Sequence, residues 1–196
     1  DLYSGKYRLG IVCGLTSRTV SDQTSRRSYE RLLSGGRIGF GSLESSSLDI
    51  LLVTARDRIG SIAVTPVDTA DTVSIGTDST QNPLSVTPQE NIVLSVANSV
   101  HLWKKKFLWK NEISASAITR DRRSDELDVE GVPEFLSNLF TPRVSSGADY
   151  AYTTDLSLSL RKVTMNAGYQ YIGPGYVSLG LASLLPDKKV ISTGVQ

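Results

Sequence analysis

Few residues of this 196-residue chain have types and spacing that could carry out catalysis. The only histidine, His101, ends a predicted strand beside a tight turn, and the only cysteine is Cys13. One histidine excludes a histidine-based metal cluster, and no motif supplies the serine and aspartate that a hydrolytic triad would need beside it. We therefore predict no enzymatic activity and no cofactor. His101 is expected at an interface or in solvent, and Cys13 is expected to be a small apolar residue on a strand.

Two further patterns suggest ligand binding only superficially. The stretch 34–41 is glycine-rich like a nucleotide-binding loop, but no helix is predicted after it and no Lys-Ser/Thr pair closes it. We predict that its glycines relieve crowding in a long strand; they are Gly35, Gly36, Gly39 and Gly41. Asp68, Asp71 and Asp78 lack the spacing of a calcium-binding loop, so we predict a solvated acidic loop there.

Composition narrows the class of protein. A formal net charge of +1 and 39% hydrophobic residues give no reason to expect nucleic acid as a partner and exclude a disordered polyelectrolyte. One cysteine excludes an internal disulfide framework. No apolar run approaches the ~20 residues of a membrane helix, but a transmembrane strand needs only ~9–11 residues, of which half are apolar.

Alternation of apolar and polar residues is the main structural signal. It predicts strands of ten residues or more, which is longer than the usual ~5–6 residues of globular proteins. In 6–16, for example, Tyr7, Leu9 and Ile11 share one face and Arg8 lies on the other. The predicted strands are 5–16, 30–42, 47–57, 89–102, 106–120, 147–160, 162–172 and 188–196.

The links between these strands alternate in length. Three are tight, at 43–46, 103–105 and 161–162, and four are long and polar, at 17–29, 58–88, 121–146 and 173–187. A chain that runs up and down with all its long loops at one end is typical of an outer-membrane β-barrel. We predict one all-β domain over 1–196, an antiparallel up-and-down meander of about eight strands that forms such a barrel or a segment of one.

Charges of both signs fall on the predicted polar faces and at the rims. Opposite charges on neighbouring strands would pair across a wet interior, whereas a ring of one sign would indicate an ion filter. The candidate lumen charges are Arg37, Asp49, Lys110, Glu112, Arg120, Asp149 and Arg161. Aromatic residues near strand ends would form the girdles of a membrane barrel, or else the edges of a sandwich core.

Two long loops contain local signals. Pro133 suits a first helical position, and Phe135 and Phe140 contribute to an apolar face, so a short helix is predicted over 132–140. In 173–176, Gly173, Pro174 and Gly175 break the strand and predict a tight turn. We expect Tyr171 and Tyr176 to anchor this turn against the rim as a structural device.

Four segments of the chain are similar to known proteins: 87–91, 116–121, 149–152 and, above all, 171–180, which reads Tyr-Ile-Gly-Pro-Gly-Tyr-Val-Ser-Leu-Gly. They resemble a family of large outer-membrane β-barrel proteins of the Bacteroidota and Chlorobiota. The resemblance extends from about residue 36 to the end and implies the early part of a long barrel-forming region. The function of that family is poorly defined, so the resemblance implies location and architecture and transfers no catalytic residue.

The sequence thus predicts a non-enzymatic component of the bacterial outer membrane. This component would be a porin-like pore, a scaffold, or a surface subunit of a larger envelope assembly. Expected partners are the lipid bilayer and other envelope proteins or the remainder of a longer chain. We interpret the chain as a segment, since its only methionine is Met165 and no aromatic residue ends it. Two alternatives stay open: a soluble barrel that binds an apolar ligand, and a β-sandwich module that binds a protein partner.

Overall fold

The computed structural model describes residues 2–4, 6–20, 28–42, 44–62, 86–128, 139–180 and 186–195. Its elements are strands, apart from a single 3-10 turn at Ile59–Ser61. The strands are β1 (Leu2–Ser4), β2 (Tyr7–Ser17), β3 (Arg31–Ser42), β4 (Ser46–Asp57), β5 (Glu90–Leu102), β6 (Phe107–Thr119), β7 (Ser146–Ser159), β8 (Thr164–Ile172) and β9 (Lys188–Val195). Within the described residues, no helix has the length and apolar character needed to cross a bilayer.

All nine strands belong to one sheet in the order of the sequence, and every neighbouring pair is antiparallel. The predicted all-β up-and-down meander is therefore confirmed, with eight long strands and the three-residue β1. Pairing is continuous along most strands, for example over all thirteen residues of β5 against β6. Among the described residues no pairing joins β9 to β1.

Tight turns collect at one end of the sheet and long connections at the other. Gly41 has φ of 81°, in the left-handed region that glycine adopts at low cost, at the turn into β4. The turn into β6 has a less favourable backbone conformation, because the three non-glycine residues Trp103, Lys104 and Lys105 all have positive φ. Side chains disfavour that region, so this turn depends on the flanking β5–β6 pairing to hold it.

The two faces of the sheet differ in composition and exposure. On what we call the apolar face, register places Tyr7 beside Phe40, which lies beside Leu48. Most of the large side chains on this face are exposed, with Ile11 at 79% and Tyr7 at 64%. Its exposed members include Tyr7, Leu9, Ile11, Leu15, Ile38, Phe40, Leu48, Ile50, Leu94, Trp109, Ile113, Tyr150, Leu156, Met165, Tyr169, Ile191 and Val195.

Polar groups on the apolar face are hydrogen-bonded to one another. Ser34 Oγ lies 2.8 Å from Thr54 Oγ1 on the next strand. Thr154 Oγ1 donates to Asn111 Oδ1 at 2.7 Å, and Trp109 Nε1 donates to Thr154 Oγ1 at 3.1 Å. Such local pairing lowers the cost of placing polar atoms in an apolar medium.

The opposite surface, which we call the polar face, is more covered despite its polar composition. Its buried members include Arg8, Ser47, Asn91, Ser95, Ser114 and Ser116. Side chains pack on this face with a segment that follows β8, and Val93, Ile172 and Tyr176 form a small buried cluster there. Exposed apolar and covered polar surfaces invert the usual distribution of a water-soluble domain.

Several loop predictions lie outside the described residues. These are the acidic loop predicted within 58–88, whose residues 63–85 are not described, and the helix over 132–140 apart from its last two residues. Of those two, Phe140 is buried.

Candidate functional site on the polar face

An ion-pair cluster occupies the polar face across β2, β3 and β4. Arg8, only 7% exposed, donates from Nη2 to Asp49 Oδ2 at 3.1 Å and from Nη1 to the carbonyl of Gly41 at 2.7 Å. Arg37 approaches the other side of the same carboxylate, with Nε 3.1 Å from Asp49 Oδ1. Asp49 therefore accepts hydrogen bonds from two guanidinium groups, which fix its position and neutralise its charge.

Gly39 makes this cluster possible. It lies between Arg8 and Asp49 in register, and a Cβ atom built on it would overlap the Asp49 carboxylate and lie 2.7 Å from Arg8 Nε. The expectation that glycines in this strand clear space for bulky neighbours is met at this position. The glycine-rich run is thus a packing feature of β3 and forms no phosphate loop.

Next to the cluster lies a cavity of about 290 Å³ with a polar lining. Its charged residues are Asp49, Lys110, Glu112 and Asp155. Glu112 Oε1 accepts a hydrogen bond from Ser95 Oγ at 2.7 Å. Because the charges of this lining have both signs, they can bind water and polar solutes and they form no ring of a single charge.

A segment that we call the strap, residues 173–180, crosses the polar face toward its long-loop end, from Asp149 of β7 past Asn91 of β5 to Leu33 of β3. It leaves β8 with the Gly173 amide donating to the Tyr150 carbonyl at 3.0 Å. The Gly175 amide then donates to Asp149 Oδ2 at 2.8 Å. Any Cβ atom at Gly173 would overlap that carboxylate, so the glycines allow the backbone to approach it closely.

Asn91 binds the middle of the strap and is 2% exposed. Its Nδ2 donates to the Val177 carbonyl at 3.0 Å, and its Oδ1 accepts from the Leu179 amide at 3.0 Å. Ser116 Oγ also donates to the Val177 carbonyl, and Asn91 Nδ2 donates to Ser116 Oγ at 3.1 Å. At the far end, a Cβ on Gly180 would lie 2.8 Å from Leu33 Cδ1, so the strap reaches β3.

Tyr176 is the one strap side chain buried in the sheet. Its ring packs with Val93 and Ile172, and Ser114 lies near its hydroxyl. Burial raises the pKa of the Tyr176 phenol above its ordinary value, and the nearby Ser114 partly opposes that rise. Tyr176 lies on the polar face beside Ile172, the last residue of β8, and that Tyr171 and Tyr176 anchor the turn at the rim stays a prediction.

Tyr171 belongs to an aromatic group on the apolar face. Its ring centroid lies 5.2 Å from that of Tyr150, and Lys189 Nζ lies 5.5 Å from the Tyr171 ring centroid. Tyr152 and Tyr169 form a second pair with centroids 6.3 Å apart. These rings lie toward the long-loop end of β7 and β8, whereas Trp103 and Trp109 lie toward the tight-turn end.

Ion pairs at the long-loop end brace the strand termini. Arg31 Nε lies 2.7 Å from Asp57 Oδ1, and the Gln89 amide donates to Asp57 Oδ2 at 3.0 Å. Glu90 pairs with Arg56, and its other oxygen lies 3.3 Å from Arg122 Nε. These pairs join β3, β4, β5 and the loop after β6, so they hold that end of the sheet together.

The structure separates the seven candidate lumen charges. Arg37, Asp49, Lys110 and Glu112 lie on the polar face around the ion-pair cluster and the cavity. Asp149 holds the strap instead. Arg120 is exposed just after β6 and Arg161 is exposed in the turn after β7, so neither belongs to this group. Whether these charges line a lumen stays a prediction.

The only histidine and the only cysteine of the chain, His101 and Cys13, both lie in the sheet. His101 Nδ1 lies 2.9 Å from the carbonyl of Ser45, so its ring joins two neighbouring tight turns. Cys13 is exposed on the apolar face. In the part of the chain that the structure describes, no group of three His, Cys, Asp or Glu side chains could hold a metal ion.

The sequence analysis did not identify Asn91 as a functional residue. For Arg8 it predicted only the face of the strand on which the side chain lies. Alternation placed Arg8 correctly, but its pairing with Asp49 depends on the register of two further strands. Asn91 is one polar residue among many in a predicted strand, and its partner lies 86 residues away. No family model, no curated protein and no solved structure matches this chain.

Proposed function

We propose that this protein is a non-enzymatic component of the bacterial outer membrane, in which the sheet forms a barrel wall or part of one. The apolar face would contact lipid, and the polar face would line the interior. The observation that supports this most strongly is the exposed apolar face opposite a covered polar one. The resemblance to large outer-membrane barrels of the Bacteroidota and Chlorobiota belongs to the same proposal.

The distribution of charge supports a lipid-facing surface. On the apolar face, the described strands carry Arg56, Glu90 and Lys189, all toward the long-loop end. Between the two ends, that face has no charged residue in the described strands. A charge at mid-depth on a lipid-facing strand costs ~2–4 kcal/mol, so a band without charges is expected there.

The strap and the mixed charges favour a scaffold or a closed, porin-like subunit over an open ion filter. The strap contacts β3, β5, β6 and β7 across the polar face. The charges of both signs around the cavity give no strong preference for anions or cations. The long loops and the rest of the envelope assembly would supply contacts with other proteins.

The alternative is a soluble barrel or sandwich module that binds an apolar ligand or a protein. It would require the apolar face to be covered by a second sheet or by the interior of a barrel. An apolar ligand in the cavity on the polar face would displace water from Asp49, Lys110, Glu112 and Asp155, which is costly for charged groups.

Tryptophan quenching by brominated lipids tests the membrane location. The protein is folded into phosphatidylcholine vesicles whose acyl chains carry bromine at a shallow or a deep carbon. Trp103 and Trp109 are exposed near the tight-turn end of the strands, so we expect quenching that is stronger with shallow bromines.

The variants Trp103→Phe and Trp109→Phe assign the quenching to each residue. Trp109 lies within β6, whereas Trp103 lies in the turn before this strand, so the deep bromines should quench Trp109 more than Trp103. A folded, monodisperse chain in plain buffer, whose fluorescence brominated vesicles leave unchanged, would rule out the membrane location and favour the soluble alternative.

A further inference from the structure

The strap is held mainly through its backbone. Asn91, Ser116 and Asp149 bind the Val177 carbonyl and the amides of Gly175 and Leu179. Asn91 donates to the Val177 carbonyl and accepts from the Leu179 amide, so it binds the main chain between the turns at 174–175 and 179–180 whatever the side chains there are.

Specificity in this contact comes from three positions. Tyr176 fills a pocket beside Val93, Ile172 and Ser114. Gly173 approaches the Asp149 carboxylate too closely for a Cβ atom, and a Cβ atom at Gly180 would require the Leu33 side chain to move. Main-chain hydrogen bonds combined with pockets for selected side chains are the physical basis by which protein surfaces bind extended peptides.

The binding groups are buried and largely satisfied by the strap. Asn91 uses its amide nitrogen and its oxygen on strap atoms and on neighbours in β6. Removing the strap would leave Asn91 and Ser116 without these partners, which is costly for buried polar groups. The same surface would therefore favour another polypeptide segment that could replace them.

We propose that the polar face around Asn91, Ser116, Asp149 and the Tyr176 pocket is a binding groove for a short polypeptide segment that turns at both ends as the strap does, and that the strap occupies it in cis. The preferred ligand is a segment with an aromatic anchor flanked by small residues, as in Gly-Pro-Gly-Tyr-Val-Ser-Leu-Gly. This inference goes beyond the proposed function and does not depend on membrane location, because it concerns the polar face alone.

Peptide binding in trans tests the groove. In the full chain, residues 174–180 are replaced by a glycine–serine linker of the same length, and a fluorescent peptide with the sequence of 173–180 is added in detergent. We expect saturable binding by fluorescence anisotropy. The unmodified chain should bind the peptide at least about tenfold more weakly, because its own strap competes at high effective concentration.

Two changes identify the contacts. Asn91→Ala in the linker variant, and a peptide in which alanine replaces its tyrosine, should each weaken binding at least about tenfold, since each removes a buried partner. The matched control is Ser47→Ala, which removes a buried hydroxyl of the polar face that bonds to Ser99 away from the strap. Absence of binding, or equal binding by both peptides, would overturn the proposal.

A second measurement covers the case in which the linker variant fails to fold. In the otherwise intact chain carrying Cys13→Ser and Ser178→Cys, millimolar peptide should displace the strap and raise the rate of maleimide labelling at position 178. A rate that does not change with peptide concentration would count against a replaceable strap. Neither assay uses a bilayer, so failure here and failure of the membrane location are distinguishable.

Discussion

At the scale of single residues, the polar face depends on a few side chains that reach beyond their nearest neighbours. Arg8 passes over Gly39 of β3 to bind Asp49 of β4, and Asn91 binds the strap 86 residues away. Each contact satisfies buried polar atoms, whose loss costs about 1–3 kcal/mol. The glycines matter as much as the charged residues here, because they leave the space that these side chains occupy.

Gly39→Ala should destabilise the protein, because the added methyl group overlaps the Arg8–Asp49 ion pair. Overpacking of this kind costs about 1–3 kcal/mol, which denaturant unfolding in detergent would measure as a lower midpoint. Gly14→Ala is the control, since nothing lies within 4 Å of its added Cβ. Equal midpoints for the two variants would contradict the role given to Gly39.

At the scale of the strand, the alternation of side chains decides which medium each residue meets. Leu51 and Leu52 are adjacent in β4, both are half-buried, and register places them on opposite faces. Leu52 shares the apolar face with Ile50 and Leu94, whereas Leu51 lies opposite Arg37 and Ser95 on the polar face. The same substitution at these two positions therefore tests the assignment of the faces.

Leu52→Arg should be more costly than Leu51→Arg in a bilayer. An arginine on a lipid-facing strand at mid-depth costs about 2–4 kcal/mol, whereas one on the polar face can be hydrated or pair with Asp49. Folding into vesicles, followed by denaturant titration, gives the two unfolding free energies. If Leu51→Arg proves the more damaging, then the apolar face does not meet lipid.

At the scale of the whole molecule, the chain has two different ends. The tight turns, including 103–106 with its left-handed residues, lie at one end, and the strap and the long connections begin at the other. Outer-membrane barrels place short turns in the periplasm and long loops outside the cell. The ion pairs of Asp57 and Glu90 would then brace the external rim.

Site-specific labelling of intact cells tests this orientation. In a Cys13→Ser background, a membrane-impermeant maleimide should label Arg123→Cys at the long-loop end and leave Ser45→Cys at the tight-turn end unlabelled. Both positions are exposed, so access alone distinguishes them. Permeabilised cells, in which both should react, provide the control, and preferential labelling of Ser45→Cys in intact cells would reverse the orientation.

The sequence by itself determined the strands, their antiparallel order and the composition of each face. Period-two alternation is a local property, and tight turns leave an antiparallel neighbour as the simplest pairing. Strand limits such as 30–42 and 89–102 accordingly differ from Arg31–Ser42 and Glu90–Leu102 by a single residue. Only the tertiary structure decided that the polar face is the covered one, that Tyr176 lies on it, and that Asn91 holds the strap. These contacts join residues that are far apart in sequence. Their geometry depends on the register of several successive strands and on the path of the strap, and local sequence preferences specify neither of these.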